Sequence, residues 1–304
     1  TSAAQFLKIS VGPRASSLGG SFTAVSNDAS SLFWNPAGAA WINKRQFMAS
    51  HTEWFADINH EFAGLILPLS SATVVGVSFT SMNAPDMEQT TLEQPEGTGI
   101  FFDVQDIAFG LTLSRRMTER FSFGVTVKYI QQRLFNESAS TFAVDLGGML
   151  LTGFRGMRLG IMMSNFGGKL RLDGRDLIVP TDRTAAKMET ESWPLPISFR
   201  LGLALDLIGL REGIFLRESQ RLTLMVDGYN VNDAAETVSV GMEYSWNENF
   251  FLRGGYRINH DTEDFSTGAG VQFPVQGWMV QTDYSLSNMG NLGYIHKIGL
   301  GFQF

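Results

Sequence analysis

Lys128, Asp145, Arg200, Asp206, Asp227, Glu243, Arg253, Arg257, Asp283 and Lys297 share one placement in this chain. Each stands at a polar position in a segment where polar and apolar residues alternate. Both signs of charge occur, so the chemistry open to them is ion pairing and hydrogen bonding inside an enclosed polar space. Catalysis finds no such pattern. The chain has no cysteine, its four histidines (His51, His60, His260, His296) lack metal-ligand spacing, and no nucleophile–His–acid set or phosphate-binding glycine loop can be assembled. A net charge of -7 with no basic stretch excludes nucleic acid as a partner. The expectation is a protein that is not an enzyme, with no cofactor and no metal.

The elements that must position these residues are strands. In Phe121–Gln131, Phe121, Phe123, Val125, Val127 and Tyr129 point one way, and Ser122, Gly124, Thr126 and Lys128 the other. Ile197–Leu207 repeats the pattern, with Phe199, Leu201, Leu203 and Leu205 against Arg200, Gly202, Ala204 and Asp206. Fourteen such segments centre near 46–54, 59–68, 73–82, 105–115, 120–131, 140–151, 157–166, 197–208, 220–229, 236–246, 250–259, 265–273, 277–287 and 293–304. The first two alternate poorly. Most segments suit the roughly 9–11 residues that a tilted strand needs to cross a bilayer.

Composition agrees. Only 17% of residues are charged while 24 are Phe and 32 Gly, yet no apolar run is long enough for a membrane helix. This is the pattern of an all-β transmembrane antiparallel barrel, whose apolar residues face lipid and whose polar residues line a lumen. The two longest connections, 83–104 and 167–196, fall on the same side. Most turns on the other side are short, which makes the loop side extracellular. The longer loops place Met87, Phe101, Phe102 and Trp193 as candidate partner contacts. The last strand ends Gly301-Phe302-Gln303-Phe304, and its alternating apolar residues with a terminal aromatic resemble an outer-membrane assembly signal.

Residues 12–41 differ from everything that follows. Gly12, Gly19, Gly20, Gly38, Pro13 and Pro36 sit among small and apolar residues with no alternation, as suits compact folding in a confined space. Residues 1–43 are read as a plug, or hatch, filling the periplasmic half of a barrel formed by 44–304. Inward glycines at 110, 124, 202, 241, 299 and 301 leave room for it. Asp28 is placed to cap the amides of Ser30 or Ser31, Phe33 and Trp34 to pin the plug to the wall, and Asn35-Pro36 to turn the chain before Ala37-Gly38. A moving gate and a static cork both fit these residues.

The stretch Gly12-Pro13-Arg14-Ala15, Leu18-Gly19-Gly20, Thr23-Ala24-Val25, Asp28-Ala29-Ser30 and Trp34-Asn35-Pro36-Ala37-Gly38 resembles the N-terminal signature of FadL-like outer-membrane proteins, and within them the PorV/PorQ branch of type IX protein secretion. The resemblance implies a bacterial outer-membrane location after removal of a signal peptide, in keeping with a chain that does not begin with methionine. It further implies membrane lipid around the barrel and secretion-system outer-membrane proteins or exported cargo domains as partners. A FadL-like transporter of hydrophobic small molecules, with a ligand or detergent in the lumen, is the alternative.

Overall fold

The computed structural model describes residues 2–180 and 185–304. Among them, fourteen long strands form one antiparallel sheet: β1 (Gln46–Glu53), β2 (Asn59–Pro68), β3 (Thr73–Asn83), β4 (Val104–Arg116), β5 (Phe121–Leu134), β6 (Glu137–Leu151), β7 (Arg158–Gly167), β8 (Ser198–Gly209), β9 (Gln220–Val231), β10 (Thr237–Trp246), β11 (Phe250–Ile258), β12 (Phe265–Val275), β13 (Trp278–Asn288) and β14 (Tyr294–Gln303). Each strand pairs with the next. β14 pairs back onto β1 with Phe302 opposite Phe47, so the sheet closes and no edge is left.

Side-chain direction follows the alternation. On β5, Ser122, Gly124 and Thr126 are buried, whereas Phe121, Phe123 and Val127 are exposed on the outer surface. β1 and β2 form despite their weak pattern. Phe62 and Ile66 of β2, with Val74 of β3, are apolar residues that point inward, where they pack against Trp34, Leu32 and Ile42 of the N-terminal segment. An apolar lumen content removes the need for a polar inner face, and the alternation fades there.

The two ends of the barrel differ. At one end the connections 84–103 and 168–197 carry small pairings of their own, Met87–Glu88 with Phe101–Phe102 and Lys169–Leu170 with Trp193–Pro194. At the other end the turns are short. The exception is 210–219, where Phe215–Leu216 returns parallel to Ile208–Gly209. By the asymmetry of such barrels the loop end is extracellular. Trp278 stacks on Phe304 at 4.8 Å and Trp246 on Phe250 at 5.7 Å, forming part of an aromatic girdle at the turn end.

The N-terminal segment lies inside. It contains a tight turn at Gln5–Lys8, a short helix α1 (Pro13–Ser17), a helical turn α2 (Ser31–Trp34) and a 3₁₀ run Pro36–Trp41. Pro13 starts α1, where a missing N–H costs nothing. One expectation needs correction: the segment is not confined to the periplasmic half. The Ala3 amide donates to Pro194 O at 2.9 Å and the Ala4 amide to Gln132 Oε1 at 2.9 Å, while Phe6 and Leu7 pack with Ile130 and Leu195. The chain therefore begins at the outer loops and descends through the barrel. It reaches the inner rim at Arg45, whose amide donates to Phe304 O at 3.1 Å. Phe6 and Leu7 need apolar cover, and the loop mouth supplies it.

Candidate functional site: the filled lumen and its outer cavity

Asn35 is fully buried and ties three parts of the molecule together. Its Oδ1 accepts from the Ala37 amide at 3.1 Å, which caps the following 3₁₀ run. Its Nδ2 donates to Thr23 O at 2.9 Å within the segment and to Gly148 O at 3.2 Å on the wall. The next two carbonyls are also held by the wall: Ser114 Oγ donates to Pro36 O at 2.5 Å and Ser122 Oγ to Ala37 O at 2.8 Å. Gly38 lies so close to Ser26 that an added Cβ would sit 1.8 Å from the Ser26 carbonyl oxygen. Asp28 accepts from the Ser30 amide at 2.9 Å and also pairs with Arg14 at 2.9 Å. Trp34 is buried, donates to Val11 O at 3.0 Å, and lies 4.5 Å below the Arg200 guanidinium; Phe33 packs edge-on against it.

The wall approaches the segment where its residues are small. Gly124 faces Pro36, Gly202 faces Thr23, Gly241 faces Leu18 and Gly299 faces Pro13. Gly110 and Gly301 meet wall side chains instead, Ser78 and Gln281. Gly147, Gly160 and Gly255 also touch the segment, at Asn35, Thr23 and Leu18, and were not expected from the sequence.

The charged residues form linked clusters. Glu243 accepts from Arg14 at 2.8 Å, Arg253 at 2.7 Å and Arg221 at 3.0 Å, and Arg253 continues to Asp283 at 2.6 Å. Three guanidiniums around one buried carboxylate are tolerable because Asp283, Asp28 and Glu248 share the positive charge. Asp227 accepts from the Phe22 and Thr23 amides at 3.1 and 2.9 Å, and Arg257 donates to Gly19 O at 3.0 Å. Asp206 pairs with Arg158 at 2.6 Å, and Lys128 with Asp145 at 2.9 Å. Lys297 donates to Ser10 O at 2.7 Å and Ser16 Oγ at 2.9 Å. Arg200 lies between the rings of Trp34 and Tyr229. Asp227, Glu243, Arg200, Arg257 and Lys297 thus hold the N-terminal segment directly and Arg253 does so through Glu243, while Lys128, Asp145 and Asp206 brace the wall. Arg14, the cation that the segment brings to Glu243, was missed as a lumen residue. A lone arginine in a stretch otherwise small and apolar was the available signal.

Space remains above the segment. A cavity of about 400 Å³ below the loops is lined by Phe6, Ile9, Trp54, Ile58, Met289 and Ile295, with Lys297, Arg257 and Ser287 as polar contributors. Ser287 Oγ is buried and makes no hydrogen bond. At the rim of this cavity, burial and the nearby Arg257 hold the His260 imidazole below its ordinary pKa. In the loops above, Phe101 and Met87 are exposed, Trp193 is 40% exposed, and the half-buried Phe102 meets Phe135 edge-on at 6.0 Å. Met87 stands opposite Phe102, next to Phe101, on one loop, and Trp193 stands on the other long loop.

The family described as type IX secretion system protein PorV matches residues 1–208. Among solved structures, the CymD monoaromatic hydrocarbon channel superposes with a TM-score of 0.63 at 10% identity, covering 96% of each chain. The Ralstonia pickettii toluene transporter TbuX gives 0.58 at 10% identity, over 96% of this chain and 97% of that one. A Pseudomonas aeruginosa FadL homologue gives 0.55 at 13%, also over 96% and 97%. At such identities these likenesses concern the fold. No curated protein matches the chain. A closed fourteen-stranded wall, a segment folded inside it and a family match that covers the segment and the wall as far as residue 208 in β8 lead to one assignment: the chain belongs to the PorV family of the type IX secretion system, as a FadL-like barrel of the bacterial outer membrane.

Proposed function

We propose that this protein is a non-enzymatic component of type IX protein export, which binds translocon or attachment-complex proteins and the C-terminal domains of exported cargo. The family match over residues 1–208 carries this reading. The exposed Phe101, Met87 and Trp193 on the long outer loops support it, since apolar side chains held in water on a loop are costly without a partner. Residues 1–43 act as the hatch, with Asn35-Pro36-Ala37-Gly38 as the knot fixing it to the wall. Phe302 and Phe304 serve as the assembly signal. Purification of the tagged protein from native membranes in mild detergent should recover secretion-system proteins or cargo. Substitution of Phe101 and Trp193 by Ala should lower cargo recovery about tenfold or more, as loss of interface anchors does. Recovery of the protein alone, with a lipid-like molecule in its lumen, would overturn the proposal.

A second reading is favoured by the outer cavity: an amphipathic small molecule, its tail against Phe6, Ile9 and Ile295 and its head group near Lys297 and Ser287. Native mass spectrometry of the detergent-purified barrel tests it. A retained ligand lost on Ile295→Trp supports transport or storage of hydrophobic molecules; an empty barrel counts against it.

A further inference from the structure

The outward face of the wall is apolar on most strands. Counting six residues along a strand from the aromatic residues of the turn end reaches Val127 from Phe121, Val240 from Trp246 and Tyr256 from Phe250, all exposed or half-buried on the outer surface. With about 3.3 Å per residue and a tilt near 40°, that step is about 15 Å up a band about 25 Å tall. Apolar or aromatic side chains are what lipid requires there.

One sector departs from this rule. On adjacent strands β2, β1 and β14, the same outward rows carry Glu61, His51, Glu53 and His296. His51 lies four residues above Phe47, about 10 Å into the band, and Glu61 and His296 lie about 15 Å from Leu67 and Phe302. These side chains do not turn inward. His51 and Glu61 are 50% and 42% exposed and pair with each other at 2.6 Å across the strands, while His296 meets the Tyr284 hydroxyl at 2.6 Å on the outer surface. Just below them, Ala49 stands opposite Ala63, between Leu300 and Phe79 on the neighbouring strands.

Ionisable groups at that depth are costly against lipid chains. We propose that the outer face of β2–β1–β14 is a lateral docking surface for a different membrane-embedded protein, which presents Lys or Arg side chains at the same depth. Charge decides the occupant. With histidine counted as neutral, the outward rows of β1, β2 and β14 at this depth carry Glu53 and Glu61 and no lysine or arginine, so a second copy would set like charges face to face. The inference adds a surface to the export reading above, where the partner would be a membrane component of the secretion apparatus.

The test places a photo-crosslinking amino acid at Ile298, which lies opposite His51 and faces outward, or at Leu203 on the opposite wall, in the full chain within native outer membranes. The expected result is one discrete adduct from position 298, joined to a lysine- or arginine-bearing membrane strand of another protein, and lipid adducts alone from 203. Glu53→Lys with Glu61→Lys should lower the adduct yield at least tenfold while heat-modifiable migration shows the barrel still folded. Adducts from 298 to lipid alone or to a second copy, or equal protein adducts from both positions, overturn the proposal. The two readings fail separately. If the wild-type protein co-purifies with secretion proteins while 298 meets only lipid, the surface is wrong and the export reading stands. If 298 meets a cationic membrane protein while the wild-type protein co-purifies with no secretion protein or cargo, the surface stands and the export reading falls.

Discussion

At the residue scale, Asn35 and Gly38 carry the junction between plug and wall, each for a different physical reason. Asn35→Ala removes three hydrogen bonds and takes from the buried Thr23 carbonyl its side-chain donor and from the Ala37 amide its acceptor. A loss of about 2–4 kcal/mol follows, read as a lower unfolding temperature and faster proteolysis of the N-terminal segment. Gly38→Ala acts by volume, because the new Cβ would have to occupy the Ser26 carbonyl. It should release the 3₁₀ run and raise single-channel conductance in planar bilayers. Gly228→Ala is the control: nothing lies within 4 Å of a Cβ there, and unfolding should not change.

At the element scale, the N-terminal segment is held by electrostatics at both ends of its path. Near the inner rim, Glu243→Gln would leave Arg14, Arg221 and Arg253 around a neutral amide, with Asp28, Asp283 and Glu248 as the remaining counter-charges. Breaking a buried charge set in this way costs about 3–5 kcal/mol. Denaturant unfolding of the detergent-solubilised barrel checks it. At the outer mouth, Asp233 on the connection between β9 and β10 accepts from Ser2 at 2.5 Å, Gln5 at 2.8 Å and Lys8 at 3.1 Å. Burial pushes its carboxyl up, but these donors outweigh burial and hold it at about 2, below the ordinary 3.8. A carboxylate depressed on folding stabilises above its unfolded pKa and ceases to as pH falls through its folded one. The anchor should therefore be complete above pH 3.8 and be lost between 3.8 and about 2. Hydrogen exchange of amides 3–9 should show Asp233→Asn, at neutral pH, reproducing the acid-released state.

At the scale of the whole molecule, closure of β14 on β1 joins the chain's last strand to its first. Phe302 lies opposite Phe47 and stacks on it at 6.5 Å, while Phe304 is fixed by Arg45 and Trp278. Deletion of Phe304 should slow assembly more than it weakens the finished barrel. The fraction of unassembled chain in a pulse-chase should rise several-fold, with unchanged unfolding of the chains that do insert.

The strands were legible because a wall between lipid and a polar lumen imposes a period of two on every residue it contains, and that period is a local property. It was legible on β5 and β8, and weak on β1 and β2, where Phe62 and Ile66 answer to the apolar plug rather than to water. The same locality made the Asp28 cap and the tight turn at Asn35-Pro36 readable, since each partner lies two residues away. The sequence by itself thus determined a membrane barrel, its sidedness and a compact segment to fill it. Only the tertiary structure decided that Arg14 meets Glu243, that Asn35 reaches Gly148, and that the segment begins at the outer loops. Those contacts join residues more than a hundred positions apart, and no local pattern records which of many inward charges and glycines will face one another once the wall has closed.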